Sequence, residues 1–139
     1  MSDRITGTGQ CLCASVKILA TTMSTQMGAC HCGMCRKWGG GPLLGIDCGS
    51  EVFFQGEENV GIYKSSDWAE RGFCKNCGTH LFYRLKAKDL FILPIGIFDD
   101  FEAVTFNHQI FIDKKPHYYC FSNTTQEKTE AEVLAEFSS

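Results

Sequence analysis

Cys30-His31-Cys32-Gly33-Met34-Cys35 places three thiols within six residues. Two shorter groups flank it: Cys11-Leu12-Cys13 on one side and Cys74-Lys75-Asn76-Cys77-Gly78 on the other. Two thiolates one or two residues apart reach a single ion when the backbone curls between them, and a glycine just after the pair helps the chain turn back. The last group has this knuckle form. The expected protein therefore holds two metal ions through Cys11, Cys13, Cys30, Cys32, Cys35, Cys74 and Cys77.

Structural zinc takes four closed ligands, whereas catalytic zinc keeps three protein ligands and one open position. Seven ligands divide as four and three. The simplest partition joins Cys11 and Cys13 with Cys74 and Cys77, leaving Cys30, Cys32 and Cys35 as the open site. Spacing alone also permits Cys11 and Cys13 to complete the middle group. His31 offers an imidazole there, although a supporting or core role suits it better. Cys32-Gly-Met-Cys35 is a Cys-x-x-Cys spacing as well, which suits a redox dithiol, but the third thiol at Cys30 favours ligation. Cys48 and Cys120 lack close partners and read as packing, with a sulfur redox role kept open for Cys120.

A chain of 139 residues has the length of one domain, so residues 1–139 are read as a single unit with one core. The formal charge of -3 counts every thiol as neutral; seven thiolates on two dications would take it to about -6. No basic stripe is visible, which argues against nucleic acid as a partner. The apolar run from Leu90 to Phe98 falls short of the roughly 20 residues that span a bilayer, and Pro94 interrupts it. Nothing at the N-terminus reads as a signal peptide, so a soluble, cytoplasmic protein without a membrane partner is expected. Nine cysteines in such a compartment, seven of them closely spaced, serve metals more readily than disulfides.

The rest of the chain reads as mainly β. Strands are expected at Ser15–Ala20, Leu43–Cys48, Glu51–Gln55, Gly61–Lys64, Thr79–Leu85, Leu90–Gly96, Val104–Asp113 and His117–Phe121. Bends are expected at the run Gly39 to Gly41 and at Gly49, Gly56 and Gly72. Thr124 and Glu127 have capping-box spacing ahead of a short C-terminal helix whose stripe would be Val133, Leu134 and Phe137.

Taken together, Gly9-Gln-Cys11-Leu-Cys13, Cys30-His-Cys32-Gly-Met-Cys35-Arg-Lys and Phe73-Cys74-Lys-Asn-Cys77-Gly-Thr-His-Leu-Phe82 resemble the glutathione-dependent formaldehyde-activating enzyme family, which includes centromere protein V. Pro94-Ile-Gly96-Ile-Phe98-Asp99 and His108-Gln-Ile-Phe-Ile-Asp-Lys114 look like further family segments. The resemblance implies an Mss4-like fold of coiled β-sheets stabilised by zinc. It implies a structural role for Cys11, Cys13, Cys74 and Cys77 and a catalytic one for Cys30, Cys32 and Cys35. It also departs from the family pattern: Pro116-His117 stands where a Pro-Trp pair is expected, and Gly39 to Gly41 replaces a Ser-Gly-Ala type of sequence.

The activity so implied is a zinc-dependent carbon-sulfur lyase acting on the adduct of an aldehyde with glutathione or another thiol. The alternatives are a non-catalytic thiol- or protein-binding module and a sulfur redox enzyme using Cys120. A thiol such as glutathione carries carboxylates, for which Arg36 and Lys37 are the nearest cations in sequence. Trp38 and the glycine run after it could wall the site.

Overall fold

A computed structural model describes residues 4–138, with side chains described through residue 136. It is mainly β. β1 (Arg4–Gln10), β2 (Lys17–Ser24) and β5 (Val52–Gln55) form a three-stranded antiparallel sheet in the order β1-β2-β5. The second sheet has eight strands: β3 (Gln26–Cys30), β4 (Leu43–Asp47), β6 (Val60–Tyr63), β7 (Ala69–Cys74), β8 (His80–Leu85), β9 (Leu90–Pro94), β10 (Thr105–Ile110) and β11 (Gln126–Lys128). Their order is β11-β10-β3-β4-β9-β8-β7-β6, antiparallel except where β10 pairs with β3 and with β11. The core between the sheets is built on Ile18, Met23, Ile46, Leu81, Phe82, Leu93 and Phe98. Among the described residues no helix is long and apolar enough to cross a membrane.

Glycine explains the strands that the sequence hides. β1, β3 and β7 each carry one at a point of close approach. A Cβ at Gly9 would run into the Ile97 carbonyl, one at Gly28 into the His108 ring and one at Gly72 into the Phe82 ring. Gly72 therefore sits inside a strand, paired with Phe82, and not in a bend. Gly49 and Gly56 do turn the chain, with φ of 65° and 88°.

Four other expectations change. His117–Phe121 is not a strand: Lys115 Nζ donates to the carbonyls of Pro116 and Tyr119 and curls the segment. The strand expected over Leu90–Gly96 stops at Pro94 and passes into a 3-10 turn at Ile95–Ile97. Likewise β10 ends at Ile110 and is followed by a 3-10 turn at Ile112–Lys114. The C-terminal helix α2 (Glu130–Ser138) is capped by Thr129 and not by Thr124. Glu132 N–H donates to Thr129 Oγ1 at 3.2 Å and Thr129 N–H donates to Glu132 Oε1 at 2.9 Å, a reciprocal capping box. Val133 is buried and Leu134 exposed, while Phe137 lies outside the described side chains. The short helix α1 (Gly33–Gly39) was not foreseen; Cys32 is its N-cap, and its last turn carries Trp38.

Candidate metal centre

Two groups of sulfur atoms emerge from this frame, and they divide the seven cysteines as four and three. Within each group all Sγ atoms lie within 4.8 Å of one another: Cys11, Cys13, Cys74 and Cys77 in the first, Cys30, Cys32 and Cys35 in the second. Cys11 and Cys13 follow β1, and Cys74 and Cys77 span the turn from β7 to β8. In the first group Cys11 and Cys13 are 3.7 Å apart and Cys13 and Cys74 are 3.8 Å apart. A tetrahedron of metal-sulfur bonds of about 2.3 Å has edges of about 3.8 Å, which these two separations match.

The backbone is shaped to bring them there. Gly78 adopts φ of 78° and donates its N–H to the Cys74 carbonyl at 2.8 Å, turning the chain back after Cys77. Two hydroxyls then relay hydrogen bonds to sulfur. Thr79 Oγ1 accepts from the Leu12 N–H at 3.1 Å and meets Cys77 Sγ at 3.1 Å. Ser15 Oγ accepts from Asn76 Nδ2 at 3.0 Å and meets Cys13 Sγ at 3.0 Å. Each hydroxyl accepts one of these bonds and keeps its own proton to give, and a proton given to sulfur favours the thiolate. The Thr79 hydroxyl pulls the Cys77 thiol down to about 5, and the Ser15 hydroxyl lowers that of Cys13.

The second group is compact in sequence. Cys30 ends β3, and Cys32 caps α1, its sulfur accepting the Cys35 N–H at 3.3 Å. Its titration is shared. Hydrogen bonds from Cys30 and Cys35 bring Cys32 down to about 2, while Cys30 is raised by that same bond to Cys32. Cys35 is raised too: a hydrogen bond with Cys30 lowers it, but the bond to Cys32 and burial outweigh this. The protons on Cys30 and Cys35 are those an ion would displace. An all-sulfur donor set of this kind could hold a soft metal ion with one position to spare.

His31 lies between two of these thiols yet turns away from them. It is 1% exposed; its Nε2 meets Gln109 Oε1 at 2.8 Å and its Nδ1 meets Tyr119 Oη at 2.6 Å. The Gln109 oxygen can only accept, so Nε2 carries the proton and Nδ1 accepts from tyrosine. The histidine thus ties the loop of Cys30 and Cys32 to β10 and to the curled segment at Tyr119.

Arg71, which the sequence reading missed, stands at the other side of the group. It is 3% exposed, its Nη2 lies 3.7 Å from Cys35 Sγ, and its guanidinium is sandwiched between Trp38 at 4.7 Å and Tyr83 at 4.9 Å. Trp38 is in turn stacked on His80 at 4.0 Å. Arg36 and Lys37, the cations expected near the site, are exposed on α1. Cys48 is fully buried as packing, whereas Cys120 is exposed and does not pack as expected. All nine cysteines are free thiols.

Known proteins resemble this chain. A family model described as glutathione-dependent formaldehyde-activating enzyme matches residues 6–114. An uncharacterized lyase of Schizosaccharomyces pombe is 38% identical over 127 residues, covering 91% of this chain and 93% of its own. A Podospora anserina protein, provisionally named a glutathione-dependent formaldehyde-activating enzyme, is 33% identical over 90 residues, which are 61% of this chain and 42% of its own. The crystal structure of a Rhodobacter sphaeroides protein shares the fold, with a TM-score of 0.58 at 21% identity over 66% of this chain and 87% of its own. On the strength of the family match, which runs from β1 to the 3-10 turn at Ile112–Lys114, the chain belongs to the glutathione-dependent formaldehyde-activating enzyme family.

Proposed function

We propose that the protein is a zinc-dependent carbon-sulfur lyase acting on the adduct of an aldehyde with glutathione or a related thiol. Cys11, Cys13, Cys74 and Cys77 hold the structural ion, and Cys30, Cys32 and Cys35 hold the ion of the reactive centre. One observation carries this reading: three sulfurs converge as a separate group, one donor short of the four that a tetrahedral ion takes. The family and the name of the fungal lyase support the reaction class.

A divalent ion held by three thiolates supplies a soft open position that favours an added thiol in its thiolate form. Three anionic donors make that position a poorer activator of water than three imidazoles would, which suits sulfur chemistry. In cleavage of an S-hydroxymethyl adduct, the carbon-sulfur bond breaks with its electron pair on sulfur. The hydroxyl gives up its proton and the carbonyl of formaldehyde forms. The chain's part is to fix the centre. Cys32 caps α1, His31 anchors the loop through Gln109 and Tyr119, and the Trp38-His80 stack covers the flank where Arg71 lies.

The test is metal content and turnover together. A metal-to-protein ratio near two supports two sites, and a ratio near one rejects them. Cys35→Ser should remain folded and lose turnover of S-hydroxymethylglutathione by at least ~100-fold, since even outer-sphere changes at metal sites are worth about 10–100-fold. Full turnover in the folded variant would refute the assignment, and ligand binding without turnover in the wild type would leave a binding module.

A further inference from the structure

Among the described residues Arg71 is a buried cation without a carboxylate partner. A guanidinium cannot lose its proton in a protein, and burying such a charge unpaired is strongly unfavourable. The nearby acids are engaged elsewhere: Arg84 on β8 binds Glu70 at 2.8 Å and Asp89 at 2.8 Å. Arg71 Nε and Nη1 are buried and have no hydrogen-bond partner, and its Nη2 is directed at Cys35 Sγ. Aromatic faces of Trp38 and Tyr83 on either side exclude water from the charge. The anions that remain to balance it are the sulfurs of the three-cysteine group.

We propose that Arg71 is the countercharge of the Cys30-Cys32-Cys35 centre and sets its ligand preference, biasing the open position toward an anionic sulfur over a neutral donor such as imidazole. This deepens the reading given above and rests on it. Three thiolates and a divalent ion leave one net negative charge, which the guanidinium cancels. A thiolate that then binds brings the assembly to one net negative charge; without Arg71 it would bring it to two, beside a part-buried group that water screens less than it would in bulk. A neutral ligand changes the charge in neither case. The preference for thiolate over imidazole should therefore depend on the charge at position 71, while the affinity for imidazole should not.

The experiment uses the full chain loaded with two equivalents of Co²⁺, whose sulfur-to-metal charge-transfer and ligand-field bands report each site. It is titrated at constant pH with 2-mercaptoethanol and, separately, with imidazole. 2-Mercaptoethanol carries no carboxylate, so any loss of affinity is not a lost carboxylate contact with arginine. Arg71→Gln should weaken 2-mercaptoethanol binding by about 30- to 100-fold, the Coulomb effect of a unit charge about 6–8 Å away at an effective dielectric near 20. Imidazole should change by less than about threefold, and Arg71→Lys should restore most of the thiol affinity, as a field effect of this size requires only the charge. The bands of the four-cysteine site should stay as they are. Should Arg71→Gln not fold, Arg71→Met, which keeps an apolar stem and removes an unpaired buried charge, takes the same titrations. Equal losses for both ligands, an unchanged ratio, or failure of both charge-free variants to fold would overturn the proposal. A wild type that takes up only one equivalent of Co²⁺ would instead reject the metal reading beneath it, an outcome separable from the others because the second set of bands would be missing.

Discussion

The four-cysteine and three-cysteine groups use one donor atom in two different settings. In the first, sulfurs 61 residues apart in sequence meet, Cys13 against Cys74, and hydroxyls of Ser15 and Thr79 stabilise the charge. In the second, all sulfurs come from a stretch of six residues, and the compensating charge arrives from a distant strand as Arg71. A clamp across a long loop limits the unfolded chain most, so the first group suits stability. A local group adds little to that, and what surrounds it tunes reactivity. The two sites are joined by β7, which carries Arg71 at one and Cys74 at the other.

The sharpest way to break this contrast is Cys74→Ser. It should destabilise the protein by about 4 kcal/mol or more, since structural zinc contributes several kcal/mol to folding directly. Chemical denaturation would measure it, and a loss no larger than that of Cys35→Ser would erase the distinction between the groups. Gly72→Ala comes next. On the strand shared by both sites, its Cβ would strike the Phe82 ring of β8, an overpacking worth about 1–3 kcal/mol. Gly41→Ala, with open space around the added Cβ, should leave the midpoint unchanged in the same melts.

Tyr119→Phe removes the proton that His31 Nδ1 accepts and should cost about 1–2 kcal/mol, the usual penalty of a buried acceptor left unmatched. Its mark would be selective metal loss from the three-cysteine group under a graded chelator challenge; equal loss from both groups would argue that His31 supports the fold at large. Among the substitutions expected to destabilise, Thr79→Val has the smallest effect, about 1 kcal/mol, because the Leu12 N–H and the Cys77 sulfur then lose their shared hydroxyl. There the same chelator should strip the four-cysteine group sooner.

The three thiol clusters could be read from the chain because ligand spacing is a local property, but spacing left open which of the other two Cys11 and Cys13 join, and only the fold brings them to Cys74 and Cys77. Gly78 after Cys77 was equally legible, since a turn back there needs the positive φ it adopts. Arg71 was not, for its meaning comes from the pairing of β7 with β8 and from α1, which together place Tyr83 and Trp38 on either side of it. The available sign was an arginine leading into the apolar run Gly72-Phe73-Cys74. Gly72 looked like a bend because glycine weakens strands, and only the position of Phe82 shows that a side chain would not fit. At His117–Phe121 the aromatic residues suggested a strand, but the Lys115 ammonium gathers the carbonyls around it and presents Tyr119 to His31. The capping box failed by five residues: Thr124-x-x-Glu127 and Thr129-x-x-Glu132 have the same spacing, and the space between is taken by β11.

The nesting of one cysteine group inside the span of the other has a consequence in time. A ribosome delivers the chain from its N-terminus, so Cys30, Cys32 and Cys35 emerge together and early, while the clamp waits for Cys74 and Cys77. During that interval the nascent chain presents a thiol trio able to seize an ion before Arg71 and β7 exist to enclose it. On the two-site proposal, the three-cysteine group would be the first able to take an ion and the last to gain its surroundings, so chains made when metal is scarce would carry a loaded trio before the four-cysteine clamp is closed.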